Sequence, residues 1–136
     1  MHWSIQYVGK AWLAGGRGPD AFDCWGLIWE VYRTRYGIEL PQYPNMDPAH
    51  HLAVGKAIDA GTRAQEWEQV ATPFEGCVVA MSQRRIFHHV GLFLNADGGL
   101  ILHAHDRGNV VAQKRASLTR SGWHKVAYFK HRDFPQ

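Results

Sequence analysis

The strongest constraint on the fold is a change in hydrophobic period halfway along the chain. Apolar residues from Phe22 to Tyr36 recur three and four positions apart, which is typical of a helix with one buried face, and Gly37 suits its end. From residue 77 onward, the apolar residues instead form short segments rich in β-branched and aromatic side chains. Helices that precede strands, without alternation, predict an α+β domain in which this N-terminal core helix packs on an antiparallel sheet.

Turn signals separate the strand-like segments. The segments are Cys77–Ser82, His89–Leu94, Leu100–His105, Val110–Gln113 and Lys125–Lys130. Asp97-Gly98-Gly99 and Arg107-Gly108-Asn109 are typical hairpin connections, so we expect an antiparallel meander. In the first half we also expect a loop over Pro41–Pro48 and an amphipathic helix over Pro48–Ala60, capped by Gly61.

Size and composition indicate one ordinary globular unit. The chain has 136 residues, of which 46% are hydrophobic and 20% charged, so we predict a single domain over residues 1–136. The net charge of +3 comes from scattered basic residues, which argues against a nucleic-acid partner. No apolar stretch approaches the ~20 residues that a bilayer crossing needs, so we expect no membrane partner. The first residues carry no signal-peptide pattern, and we therefore expect synthesis in the cytoplasm.

Cys24 is the first candidate for chemistry. It begins the predicted core helix, just after a glycine-rich loop over residues 15–20, where unpaired N–H groups stabilise a thiolate by at most ~2 kcal/mol. Lowering a thiol pKa from about 8.5 to about 6 takes ~3.4 kcal/mol, so a second group is needed. An imidazolium about 4 Å away would add roughly 4 kcal/mol at an effective dielectric constant near 20. The pattern predicts an ionised Cys24 with a histidine partner, although a lone cysteine can also be a small core residue, as we expect for Cys77.

Two histidines on neighbouring predicted strands could supply that partner. Strand alternation places His89, Gly91 and Phe93 on one face, and the Asp97-Gly98-Gly99 hairpin lays the strand with His103 alongside. A cysteine, a histidine base and a polar group that orients the base form a nucleophilic catalytic array. The alternative for each histidine is a hydrogen-bonded core residue.

The chain has nine histidines, and they also permit a metal site. His103 and His105 lie two apart on one strand face, and His88 or His89 across the hairpin could complete a three-histidine set. A histidine-rich metal-binding domain would leave Cys24 and its loop without a role. We therefore favour the thiol chemistry, with neither metal nor cofactor.

Five blocks of the sequence together resemble the NlpC/P60 cysteine peptidases. In order they are Trp12–Gly16, Phe22–Ile28, Glu75–Val79, His89–Leu94 and Leu102–Ala104. The resemblance implies a papain-like α+β fold with a catalytic array of Cys24, His89 and His103. It also implies a peptidoglycan hydrolase that cuts the stem peptide between γ-D-glutamyl and a diamino acid.

Within that family, the glycine loop and the Cys-Trp-Gly core look most like the small members found in tail-assembly gene clusters of tailed bacteriophages. This implies phage tail proteins as partners, and delivery in a virion tail or release to the periplasm and cell wall. The same resemblance leaves an alternative open, a structural tail-tip assembly protein with little or no activity.

Four further residues are candidates for oxyanion or substrate binding. Trp12 stands where the family usually has Tyr, and its indole can donate a hydrogen bond to an oxyanion but cannot shuttle a proton. Trp25 replaces the usual Ser, which we expect to reshape the substrate groove. Asp23 either caps the helix or contacts a substrate amine, with capping favoured. Arg17 either binds a substrate carboxylate or is a solvated loop residue, with the latter favoured.

Overall fold

The computed structural model describes residues 2–42, 51–83, 87–106 and 108–135, with residues 51–55 described by their backbone alone. The described α-helices are α1 (Cys24–Val31), α2 (His51–Arg63) and α3 (Arg115–Arg120), and a short 3-10 helix spans Trp3–Gln6. The described strands are β1 (Ala11–Trp12), β2 (Ala21–Phe22), β3 (Trp67–Val70), β4 (Val78–Ser82), β5 (His89–Leu94), β6 (Leu100–Ala104), β7 (Val110–Gln113) and β8 (Lys125–His131). The predicted α+β class with an antiparallel sheet is confirmed.

The core helix ends at the predicted glycine but begins at Cys24 rather than Phe22, because Phe22 belongs to β2. Asp23 is the N-cap of α1, and one π-helical turn over Tyr32–Tyr36 follows the helix. Gly37 ends this turn in the left-handed conformation, at φ +67°, where a residue without Cβ is favoured. The Tyr32 hydroxyl donates to the carbonyl of Gly76 over 2.7 Å and so ties the helix end to the segment before β4.

Six strands form one antiparallel sheet in the order β3-β8-β4-β5-β6-β7. Strands β4 to β7 make the predicted meander, and Asp97-Gly98-Gly99 lies in the turn between β5 and β6. Strand β8 then pairs with β4, and β3 pairs with the other edge of β8. Strands β1 and β2 form a separate two-stranded parallel sheet.

Helix α2 differs from the prediction at its end. It passes through Gly61 and continues to Arg63, so Gly61 is not its cap. A Cβ at Gly61 would lie 2.5 Å from Cδ1 of Trp67, so the glycine instead lets the helix approach β3 closely. The predicted helix start at residues 48–50, most of the predicted loop over 41–48 and Arg107 in the second hairpin lie outside the described residues.

Both faces of the sheet are covered. Helix α1 packs on the face that carries Val90, Leu92 and Leu94. The opposite face carries a second apolar cluster, in which side chains of the sheet contact Leu118 of α3 and Trp123. None of the helices in the described part of the chain has the length and apolar character that a bilayer crossing needs.

Candidate active site

Cys24 is the first residue of α1 and is 7% exposed. Backbone N–H groups of Val90 and Trp25 hydrogen-bond to its sulfur. The pairing of β5 with β6 runs from Leu92↔Leu102 to Leu94↔Leu100, so Val90 precedes the paired stretch. The sulfur therefore lies near the N-terminal end of β5, beside Val90, the residue that follows His89. Neither Cys24 nor Cys77 forms a disulfide.

The ionised thiol predicted from the sequence is wrong for the resting protein. Burial raises the pKa of Cys24 to about 12, and the adjacent Asp23 carboxylate acts in the same direction. The N–H groups of Val90 and Trp25 and the charge of Arg17 lower the pKa but do not offset burial. Helix-start dipoles contribute at most ~2 kcal/mol, which is smaller than the desolvation cost of a buried anion.

Three polar side chains form a row across strands β5, β6 and β7. In the sheet register Phe93 is opposite Ile101, and Ile101 is opposite Gln113. Side chains two residues apart share a strand face, so His89, His103 and Gln113 all lie on the face of Ile101. This is the same face that the second apolar cluster covers.

The row is joined by short hydrogen bonds. His89 Nε2 lies 2.9 Å from His103 Nδ1, and His103 Nε2 lies 2.7 Å from Gln113 Oε1. The expectation that the two histidines are neighbours is therefore confirmed. The Trp123 ring stacks on His89 with centroids 4.8 Å apart and planes 21° apart, which fixes the imidazole from a third side.

Gly91 allows the two histidine strands to come together. A Cβ at this position would lie 2.7 Å from the carbonyl oxygen of Leu102 and 3.0 Å from Cβ of His103. Any side chain would push β5 away from β6 at the point where the two imidazoles meet.

Both imidazoles are neutral at neutral pH. Burial lowers the pKa of His89 well below its usual value, and the neighbouring His103, His88 and His105 act in the same direction. Burial also lowers the pKa of His103 to about 4, against the hydrogen bond to Gln113 and with a small contribution from His105. A neutral thiol and a neutral imidazole as reaction partners suit general-base activation, in which the proton moves as the sulfur attacks.

Asp23 performs the capping role that the sequence favoured. Its carboxylate accepts from the backbone N–H of Gly26 over 2.7 Å and from that of Gly15 over 2.9 Å. Arg17 donates to the same carboxylate over 2.9 Å and also to the carbonyls of Gly16 and Gln42. The expectation of a solvated Arg17 is wrong, because its side chain is 16% exposed and holds the glycine loop to the helix start. A substrate contact of Arg17 or Asp23 stays a prediction.

The two tryptophans that depart from the family pattern occupy different positions. Trp25 is 4% exposed, and its indole donates to the carbonyl of Pro41 over 2.6 Å. Its effect on a substrate groove stays a prediction. Trp12 is half-buried on β1, opposite Phe22 of β2, which leads through Asp23 to Cys24. Its contact with an oxyanion stays a prediction.

The structure gives the metal alternative no support. No group of three or more His, Cys, Asp or Glu side chains in the described ranges is arranged to hold a metal ion. His89 Nε2 and both ring nitrogens of His103 are engaged in the hydrogen-bonded row instead.

Comparisons with known proteins agree with this architecture. The model of the NlpC/P60 family matches residues 9–132, whereas no curated protein sequence matches significantly. The NlpC/p60 domain of the peptidoglycan hydrolase SagA has a TM-score of 0.58 at 18% identity, over 92% of this chain and 91% of that one. A protein of Staphylococcus aureus described as similar to a lipoprotein of the NLP/P60 family has a TM-score of 0.55 at 20% identity. That match covers 91% of this chain but only 38% of the other.

Proposed function

The chain belongs to the NlpC/P60 family, and from this premise we propose that it is a cysteine peptidase acting on the stem peptides of peptidoglycan. The observation that carries the proposal is the hydrogen-bonded His89–His103 pair, together with a helix-start cysteine whose sulfur accepts from the backbone N–H of Val90, the residue that follows His89. SagA, whose NlpC/p60 domain has a similar fold, is described as a peptidoglycan hydrolase, and this supports the substrate class.

The chemistry follows from the neutral resting state. The lone pair of His89 Nδ1 takes the thiol proton while the Cys24 sulfur bonds to the amide carbonyl carbon. N–H groups at the start of α1 donate to the oxyanion that develops. The protonated imidazole then gives its proton to the leaving amine as the C–N bond breaks, which leaves a thioester. Water, deprotonated by His89, hydrolyses the thioester and returns the thiol.

Within this proposal, the bond cut is the one between γ-D-glutamyl and the diamino acid, as the family resemblance implies. The resemblance of the glycine loop also supports association with a phage tail. Delivery in the virion, or release to the periplasm and cell wall at lysis, would then bring the enzyme to its substrate.

Digestion of purified peptidoglycan tests the activity. Wild type and Cys77→Ala should release stem-peptide fragments that mass spectrometry identifies, whereas Cys24→Ala should release none. Cys77→Ala is the matched control because it removes the other buried cysteine. Fragments from Cys24→Ala, or none from wild type, would reject the thiol peptidase.

A second candidate is a tail-tip assembly protein that has kept the fold without the activity. The raised pKa of Cys24 and the loss of the usual Tyr and Ser at Trp12 and Trp25 favour it. This candidate predicts an undigested substrate together with co-sedimentation of the chain with phage tails. Digestion by wild type would exclude it.

A further inference from the structure

Gln113 is the outermost member of the polar row and was not among the site residues that the sequence indicated. It is the last residue of β7 and lies opposite Ile101, which places it diagonally across from His103 on the same face. Diagonal neighbours on adjacent strands are about 7–8 Å apart, a separation that a Gln side chain spans. The register therefore explains why its Oε1 reaches His103 Nε2 at 2.7 Å.

The chemistry of an amide oxygen sets the protons along the row. Oε1 of Gln113 can only accept, so His103 Nε2 carries the hydrogen. A neutral His103 then has its lone pair on Nδ1, which accepts a hydrogen bond from His89 Nε2. His89 therefore carries its hydrogen on Nε2 and keeps the lone pair on Nδ1. If the amide were flipped so that its NH2 group faced His103, it would donate to His103 Nε2. Each hydrogen in the row would then move to the other ring nitrogen, and Nδ1 of His89 would carry a hydrogen.

We propose that Gln113 is a positioning residue that acts through His103 to keep the base nitrogen of His89 on Nδ1. The proposal rests on the proposed function for its catalytic consequence, but the proton positions themselves do not depend on that function. Without the acceptor, His103 would no longer be restricted to one tautomer, and a fraction of His89 would present an N–H where the thiol proton must go.

The other titratable groups near the row do not decide which ring nitrogens of His89 and His103 carry the hydrogens. The ring of His105 lies 6.0 Å from that of His103, and the ring of His88 contacts Trp123 with centroids 5.2 Å apart. Val111 is opposite His103 on β7 and offers only an apolar side chain. Of the described contacts to His103 Nε2, the amide of Gln113 is the one that selects a tautomer.

Two substitutions separate the acceptor from the shape of the side chain. Gln113→Met keeps the length and removes the acceptor, whereas Gln113→Glu keeps an acceptor oxygen and adds a charge. Gln69→Met, on the exposed edge strand β3, is the matched control for replacing a strand Gln.

Long-range proton–nitrogen NMR of histidine-labelled protein reads the tautomers without any substrate. We expect Nε2–H tautomers for His89 and His103 in wild type, in Gln113→Glu and in the Gln69→Met control, and mixed tautomers in Gln113→Met. In Gln113→Glu, His103 should also protonate at higher pH, because a carboxylate stabilises the imidazolium. An Nδ1–H tautomer of His89 in wild type, or unchanged tautomers in Gln113→Met, would overturn the proposal.

Peptidoglycan digestion then reads the catalytic consequence. Gln113→Met should lower kcat roughly tenfold to a hundredfold, the effect of one lost buried hydrogen bond, with little change in KM. Gln113→Glu should restore most of the rate, with the acid limb of its pH profile moved to higher pH. An inactive wild type with the expected tautomers would reject the proposed function alone, whereas an active Gln113→Met with normal kcat would reject the role of Gln113.

Discussion

Acid should destabilise this protein strongly because neutral imidazoles are enclosed in its sheet. His103 has no exposed surface, and burial lowers its pKa to about 4. A histidine of the unfolded chain titrates near 6.5. Between these values the unfolded chain binds a proton that the folded protein does not. The contribution of the neutral His103 to stability is therefore fully present above about pH 6.5 and is lost as the pH falls toward about 4.

The size of the loss follows from the two pKa values. Linkage gives about 1.8 kcal/mol from His103 between pH 7 and pH 5, and about 3.4 kcal/mol once the pH is well below 4. His89 adds a loss of the same sign, since its pKa is also lowered. A domain of this size has roughly 5–15 kcal/mol of total stability, so the effect is large enough to measure.

Urea unfolding at pH 7 and pH 5 measures the effect. The difference in the free energy of unfolding between pH 7 and pH 5 should be smaller in His103→Asn than in wild type, by about 1.8 kcal/mol or more. The exposed His124 supplies the control, and His124→Asn should keep the wild-type difference. An equal pH difference in wild type and His103→Asn would refute the reasoning. If His103→Asn does not fold, NMR titration of His103 in wild type decides instead, and a midpoint near 6.5 would contradict it.

The remaining predictions concern the thiol, the strand contact and the indole. In a Cys77→Ala background, alkylation of Cys24 by iodoacetamide should rise about tenfold per pH unit from pH 7 to 10, because a pKa of about 12 leaves little thiolate; a plateau below pH 8 would show a preformed ion pair. Gly91→Ala should lower the free energy of unfolding by about 1–3 kcal/mol, since its Cβ meets the backbone oxygen of Leu102, and Gly108→Ala, which meets only ordinary contacts, should cost less in the same urea assay. Trp12→Phe should lower kcat for peptidoglycan by removing an oxyanion donor, and unchanged turnover would dispose of that role.

The sequence predicted the parts of the fold whose signals are local. Alternation in β5 and the Asp97-Gly98-Gly99 turn correctly placed His89 beside His103, and Gly37 marked the end of the core helix. Strand β3 was missed because its two central residues are exposed and polar, as suits an edge strand. Helix α3 was missed because its six residues contain too few apolar side chains to show a period.

The parts that were missed at the site depend on long-range geometry. Gln113 joins the row only in the observed register, and a shift by one residue would turn its side chain to the other face. Trp123 lies outside the strands and helices, so no period marks its stacking on His89. The thiol pKa was predicted in the wrong direction because the depth of burial and the strength of the Asp23 effect follow from packing, which the helix signals do not report.

The proposed nucleophile and base come from opposite layers of the molecule. Cys24 begins the helix that packs on one side of the sheet, whereas His89 and its partners project from the other side and contact Trp123. The alignment of the two groups therefore depends on how helix α1 packs against the sheet. Gentle heating that loosens this packing should abolish the proposed peptidase activity while the far-ultraviolet circular dichroism is still unchanged, so that activity would report loss of tertiary packing before loss of secondary structure.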